Sequence, residues 1–335
     1  HDVDLDGAES DFTVTPSYAI MSAVGRPPAP HLPLQPAPRP PGRQRRRTSS
    51  HRPPRPTLRA AFAWPDPILK PEPSTLPLKP VTHDFLALVE RETGYPVRLI
   101  EDPTLETLAR VRMARGTVPA HFVNYKPTRD ESLDYVICYQ CGFILRLFDT
   151  PPDQRFDLAG RRERVDEIAA TLAGPGGKLE SFGLTPAQIS QMADTYLSGL
   201  MTHLRSIPIG MRVAEWIADK YPELAQSQSA AVVKELAEAQ GALLAPIREF
   251  TPDVIYKPTV AISAAHAMFW AEYFATPELS TAYRSYGYHT DGRALLKIYR
   301  SVPAEPIHDR ELVDRWADQL HLTGWYRWVP YAPPQ

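Results

Sequence analysis

Apolar and polar positions change rhythm several times along the chain, and each change predicts an element. Thr82 opens a run with Phe85, Leu88 and Val89 at helical spacing, stopped by Gly94 and Pro96. Three short, partly alternating segments follow: Val97 to Ile100, Arg110 to Met113, and His121 to Tyr125. They are separated by Pro103, Gly116, Pro119 and Pro127, the punctuation expected between strands. Beyond Leu158 the pattern is mostly helical. Arg161 to Leu172 is amphipathic and ends at Gly174-Pro175-Gly176-Gly177. Thr185-Pro186-Ala187-Gln188 has the cap, first-turn proline and capping-box glutamine of a helix start, followed by Ile189, Met192, Tyr196, Leu200 and Leu204 on one face. Further helices are expected over Met211 to Lys220, Ala230 to Leu244, Ala261 to Phe274, Gly292 to Tyr299 and Arg310 to Leu320.

The segment Asp134 to Phe148, DYVICYQCGFILRLF, breaks this mould because it is apolar on most faces. Leu133, Ile137, Cys141, Ile144 and Phe148 make one stripe; Tyr135, Tyr139, Phe143 and Leu147 make a second. Its β-branched and aromatic residues suit a buried strand, and Gly142 costs a helix about 1 kcal/mol. A run of about fifteen residues exceeds the usual strand, so a central helix is the expectation.

Composition adds a tail to this picture. The chain has 335 residues and 37 prolines, and about half of the prolines precede Thr82. Residues 26 to 60 mix proline with Arg43, Arg45, Arg46 and Arg47, a composition that cannot build a core. It reads as a linker or upstream extension, or as a basic arm for nucleic acid, acidic lipid or an SH3-like module. The expected organisation is a disordered Pro/Arg-rich tail over 1–81, a small α+β domain over 82–180 and a helical domain over 181–335. A formal net charge of -2 gives no global drive toward nucleic acid or anionic membrane, so nucleic acid is expected only through the tail. No apolar run is long enough to cross a bilayer. Cys138 and Cys141 are the only cysteines, which excludes a disulfide scaffold and fits the cytoplasm.

The strand HFVNYKP, a short polar loop and then DYVICYQCGFILRLF resemble the core of ImmA/IrrE-type zinc metallopeptidases, a branch of the zincins, over residues 82 to 175. The shared features are the strand at His121 to Tyr125, the approach Asp134 to Ile137, Gly142 between the ligand slots and the tail Ile144 to Leu147. The resemblance implies a zincin-like domain of short antiparallel strands and an active-site-type helix. It also implies an edge strand, His121, Val123 and Tyr125, that pairs with extended peptide. In that family a His-Glu-x-x-His run sets two imidazoles on one helix face beside a general base. The corresponding slots here are Tyr139, Gln140 and Phe143, so neither the ligand roles nor the base role transfers. Glu163 and Glu167 stand near the family's third ligand but read first as solvated helix charges. No cofactor is expected; zinc is expected only in relatives that keep the motif.

The expectation is therefore a degenerate, non-catalytic metallopeptidase-like protein that binds a peptide or protein partner in its former cleft. Two alternatives are an active hydrolase that uses His203 or Glu215 with Glu163 or Glu167, and a helical interaction protein unrelated to peptidases. The Cys138-x-x-Cys141 pair falls in mid-helix, away from the N-terminal position that activates a redox thiol, and could join His121 or His203 only in an unsupported metal site. His203, His266 and His289 read as packed or hydrogen-bonded side chains. The aromatic cluster Trp316, Trp325, Tyr326 and Trp328 reads as the closure of a helical core, or as an interface anchor.

Overall fold

The computed structural model describes residues 78–105, 107–174 and 184–334. The Pro/Arg-rich segment up to residue 77, with Arg43, Arg45, Arg46 and Arg47, lies outside them. The described residues on both sides of the expected boundary at 180 belong to one compact unit, so the division into a small α+β domain and a separate helical domain does not appear. The mixed α+β class does.

Helix α1 (Pro80–Thr93) starts two residues before the expected cap. Its proline suits the first turn, where the missing N–H would have no partner. Thr82 is fully buried instead of capping, and its hydroxyl donates to Asp134 Oδ1 at 2.5 Å. The Lys79 backbone N–H donates to the same oxygen at 2.8 Å. Strands β1 (Val97–Glu101), β2 (Ala109–Arg112) and β3 (His121–Tyr125) form a sheet in the order β1-β3-β2. The expected all-antiparallel arrangement is corrected here: β1 runs parallel to β3, and only β2 is antiparallel to it.

The central segment is helix α2 (Leu133–Phe148), as its length required, with Ile137, Cys138 and Cys141 fully buried. Strand β4 (Phe156–Gly160) and helix α3 (Arg162–Ala173) follow. Helix α4 (Pro186–Lys220) opens on the expected capping box of Thr185 and Gln188. It then runs 35 residues through Pro208, joining the helix expected up to Leu204 with the one expected from Met211. Proline forfeits one helical hydrogen bond, but every residue from His203 to Ala214 is buried, so packing on all sides holds the helix through the defect.

Helices α5 (Ala225–Ala239), α6 (Ala245–Phe250), α7 (Asp253–Tyr273), α8 (Thr281–Ser285), α9 (His289–Ser301) and α10 (Asp309–Gln319) complete the helical part. Helix α7 also carries an internal proline, Pro258, inside a mostly buried stretch. The aromatic cluster near the chain's end holds a strand that helical periodicity hid. Strand β5 (Tyr326–Pro330) pairs antiparallel with β4, from Phe156↔Pro330 to Gly160↔Tyr326. Tyr326 and Trp328 both donate to Asp314 Oδ1, at 2.6 and 2.8 Å, while Trp316 is fully buried in the core.

Helices α2 and α4 cross at two glycines. A Cβ on Gly142 would overlap Val213, and one on Gly210 would overlap the Tyr139 side chain and crowd Phe143. Gly142→Ala gains about 1 kcal/mol of helix propensity and loses about 1–3 kcal/mol to overpacking. Thermal melts should show a net loss, and Val213→Ala in the same chain should relieve it with a coupling of about 1 kcal/mol. Additive effects would mean that the two side chains do not meet.

Candidate functional site

The slots singled out by the family resemblance lie on the face of α2 that meets α4. Tyr135 stacks on Tyr139 (centroids 5.6 Å apart, planes at 30°), and Tyr139 meets Phe143 edge-on (5.3 Å, 89°). Both Tyr139 and Phe143 bear on Gly210. Gln140 is buried. Burial also pushes the Tyr139 phenol well above its ordinary pKa, so it stays neutral. The face of α2 that bears Tyr139 and Phe143 is thus packed against helix α4.

Strand β3 is likewise not an edge. His121, Val123 and Tyr125 sit on the middle strand, with β1 on one side and β2 on the other, so its backbone groups are already paired. Strand addition at this position is excluded by that pairing. His121 is fully buried. Its Nδ1 accepts from the Ala114 N–H at 3.1 Å, and its Nε2 lies 3.0 Å from Thr93 Oγ1. The Thr93 hydroxyl donates to the Val89 carbonyl, so Nε2 carries the proton and donates. Burial lowers the pKa of His121 to about 4, and both nitrogens are used structurally. The Tyr125 hydroxyl donates to Glu101 Oε1 at 2.9 Å.

The alternative hydrolase ligands do not come together. Glu163 is exposed, and Glu167 pairs with Arg164 at 2.5 Å on the solvated side of α3. His203 is buried beside Ser263 Oγ at 3.1 Å, with its pKa lowered to about 4 by desolvation. His266 accepts from Trp270 Nε1 at 2.8 Å, and desolvation, with His203 nearby, lowers its pKa to about 3. His289 lies within reach of Arg293, at 3.3 Å. Glu215 accepts from the Tyr299 hydroxyl at 2.5 Å. Among the described residues no group of three or more His, Cys, Asp or Glu could hold a metal ion. Cys138 and Cys141 are free and buried in mid-helix. Desolvation lifts the Cys138 thiol to about 12 and Cys141 well above the ordinary range, the opposite of redox activation.

What the structure does open is a groove of about 650 Å³ on another side of α2. It runs from α1 (Leu88 and Glu92) past the Gly142–Val213 crossing and the C-terminal end of α2 to Glu215 and Trp216 of α4, and is closed by Ala304 to Pro306. That volume lies within the range of about 300–1,000 Å³ typical of binding sites. The 304–306 wall is held by a charged clamp. Arg146 Nε donates to Asp309 Oδ2 at 2.5 Å and Arg146 Nη2 to Oδ1 at 2.8 Å, while Arg212 Nη1 reaches Oδ1 at 3.0 Å. The same two arginines donate to the carbonyls of Ala304 and Val302. Arg146 and Arg212 are thereby committed to the wall and Glu92 pairs with Arg91 at 2.8 Å, while Asp149, Glu215 and Glu305 leave the groove a surplus of negative charge. A second charged trio involves α4 nearer its start, where Arg205 meets Asp157 of β4 at 3.4 Å and Arg115 meets the same carboxylate at 2.9 Å.

Sequence reasoning passed over Arg146, Arg212, Asp309 and Trp216. A signal was present: Arg205 and Arg212 stand seven residues apart on one face of a strongly apolar helix, and buried arginines require partners.

No family model matches the chain, and no curated protein or solved structure matches it either. Among the described residues no helix is long and apolar enough to cross a membrane.

Proposed function

We propose that this chain is a non-catalytic, metallopeptidase-like protein that binds a basic segment of a protein partner in the groove beside Trp216. One observation carries the reading: the face of α2 bearing Tyr139 and Phe143 packs on Gly210, while another side of the same helix opens on an acidic, aromatic-walled groove. The relation to ImmA/IrrE-type peptidases rests on the order of strand and helix and on Gly142 between the slots. The former cleft is not the binding site in this reading. The indole of Trp216 offers a face for a guanidinium or a proline ring, and the surrounding carboxylates favour cations. Two unbridged cysteines fit a reducing, cytoplasmic setting.

The test is fluorescence anisotropy with labelled dodecapeptides, one of alternating Arg and Pro and one of alternating Glu and Pro. The basic peptide should bind and the acidic one should not. Trp216→Ala should weaken binding about tenfold, a loss of about 1.4 kcal/mol. The paired change Glu215→Gln with Glu305→Gln should weaken it without touching the apolar wall. Equal binding of both peptides, indifference to these variants, or one zinc per chain on metal analysis would overturn the proposal.

A further inference from the structure

The three-stranded sheet has a second face, turned away from α1 and α2. Side chains alternate across a strand, so His121, Val123 and Tyr125 point toward the helices and Phe122 and Asn124 point away. The register extends this outward set across all three strands. Arg98, Phe122 and Arg112 form one row, and Ile100, Asn124 and Arg110 form the next. Of these six positions three are arginine and none is acidic. Arg98, Ile100 and Arg112 are exposed, and the other three are partly so. None of the three arginines enters an ion pair with a described residue. A carboxylate that feels one of them is Asp102, just beyond the end of β1. Its pKa is held low first by hydrogen bonds from Thr104 and only last by Arg110.

The rows have a specific chemistry. The Arg112 guanidinium lies over the Phe122 ring, 4.9 Å from its centroid, so a cation and an aromatic face are already in contact. Arg98 flanks the same ring from the opposite strand. An acidic peptide would use the guanidinium groups but has no need of a stacked ring. A single-stranded nucleic acid uses both features: phosphates for the arginines and a base face for the Phe122–Arg112 platform. A duplex hides its base faces and cannot use the platform.

We propose that this sheet face, centred on Phe122 and flanked by Arg98, Arg110 and Arg112, binds single-stranded nucleic acid by stacking and phosphate contact. The surface shares no residue with the Trp216 groove.

The experiment uses the full chain and anisotropy of fluorescein-labelled twelve-nucleotide A/C single strands, a twelve-base-pair duplex and an Asp/Glu dodecapeptide, across a salt series. The single strand should bind more tightly than the duplex or the peptide. Phe122→Leu, which keeps the apolar bulk and removes the ring, should weaken single-strand binding about tenfold and leave the salt slope unchanged. Arg98→Ala with Arg112→Ala, at exposed positions, should lower the salt slope by about 1.4, the loss of two phosphate contacts. Unchanged thermal melts for both variants show that folding is intact. Binding that ignores both variants would place any nucleic-acid affinity elsewhere in the chain and overturn the proposal. Equal affinity for the acidic peptide, or no binding at low salt, would overturn it as well.

Discussion

Acidification from pH 7 toward pH 4 is expected to unfold the described core cooperatively. His121, His203 and His266 are buried and neutral, with pKa values lowered to about 4, about 4 and about 3, first of all by desolvation. In the unfolded chain each titrates near the ordinary value of about 6.5. Between those limits the unfolded state binds more protons than the native state, so stability is full above about pH 6.5 and falls as pH drops toward 4. Each histidine costs about 3 kcal/mol over that interval. Three together approach the whole stability of an ordinary domain, about 5–15 kcal/mol. Far-UV circular dichroism and tryptophan fluorescence should both report the transition before pH 4 is reached. His266→Gln, which keeps an acceptor for Trp270 Nε1, should move the midpoint to lower pH and make the transition shallower. A native spectrum retained at pH 4 would contradict the burial of these imidazoles.

Asp309→Ala should be the most damaging single substitution among the charged residues. Side-chain exposure is 3% for Arg212, 12% for Arg146 and 16% for Asp309, so removing the carboxylate strands two guanidinium groups in a nearly dry site. Breaking a buried pair in this way costs about 3–5 kcal/mol. The midpoint of urea unfolding should fall by about 1 M or more. Replacing all three members together, as Arg146→Met, Arg212→Met and Asp309→Leu, should recover much of the loss, because the desolvation penalty disappears with the charges. If the triple variant is as unstable as Asp309→Ala, packing and not charge holds the 302–306 wall. The groove gives an independent readout, since a released wall should also weaken the basic peptide.

The parts of the fold that local pattern dictates were legible in the sequence. Proline and glycine punctuation marked β1, β2 and β3. The Thr185–Gln188 box fixed the start of α4, and the sheer length of the apolar run made α2 a helix. What failed depended on distant partners. The sequence placed separate helices before Leu204 and after Met211, and began another only at Ala261, yet α4 runs unbroken through Pro208 and α7 starts before Pro258. Strand β3 reads as an edge until β1 is seen to lie beside it, in a parallel pairing that local sequence does not encode. The aromatic slots at Tyr139 and Phe143 were legible as a packed pair, but the helix that covers them could not be placed from the sequence. The charged clamp joins residues 146, 212 and 309, and no local window holds all three.

The pairing of β4 with β5 also sets a schedule for biosynthesis. Phe156 to Gly160 leave the ribosome long before Tyr326 to Pro330 exist, and the Tyr331 hydroxyl, which donates to the Ala114 carbonyl, arrives later still. Until then the nascent chain carries an unmatched β segment, the kind of species that invites aggregation and chaperone capture. Cells making this protein must shelter an unfinished intermediate while every residue between the two strands is added, and a ribosome stalled within α10 would release a product that lacks its closing strand.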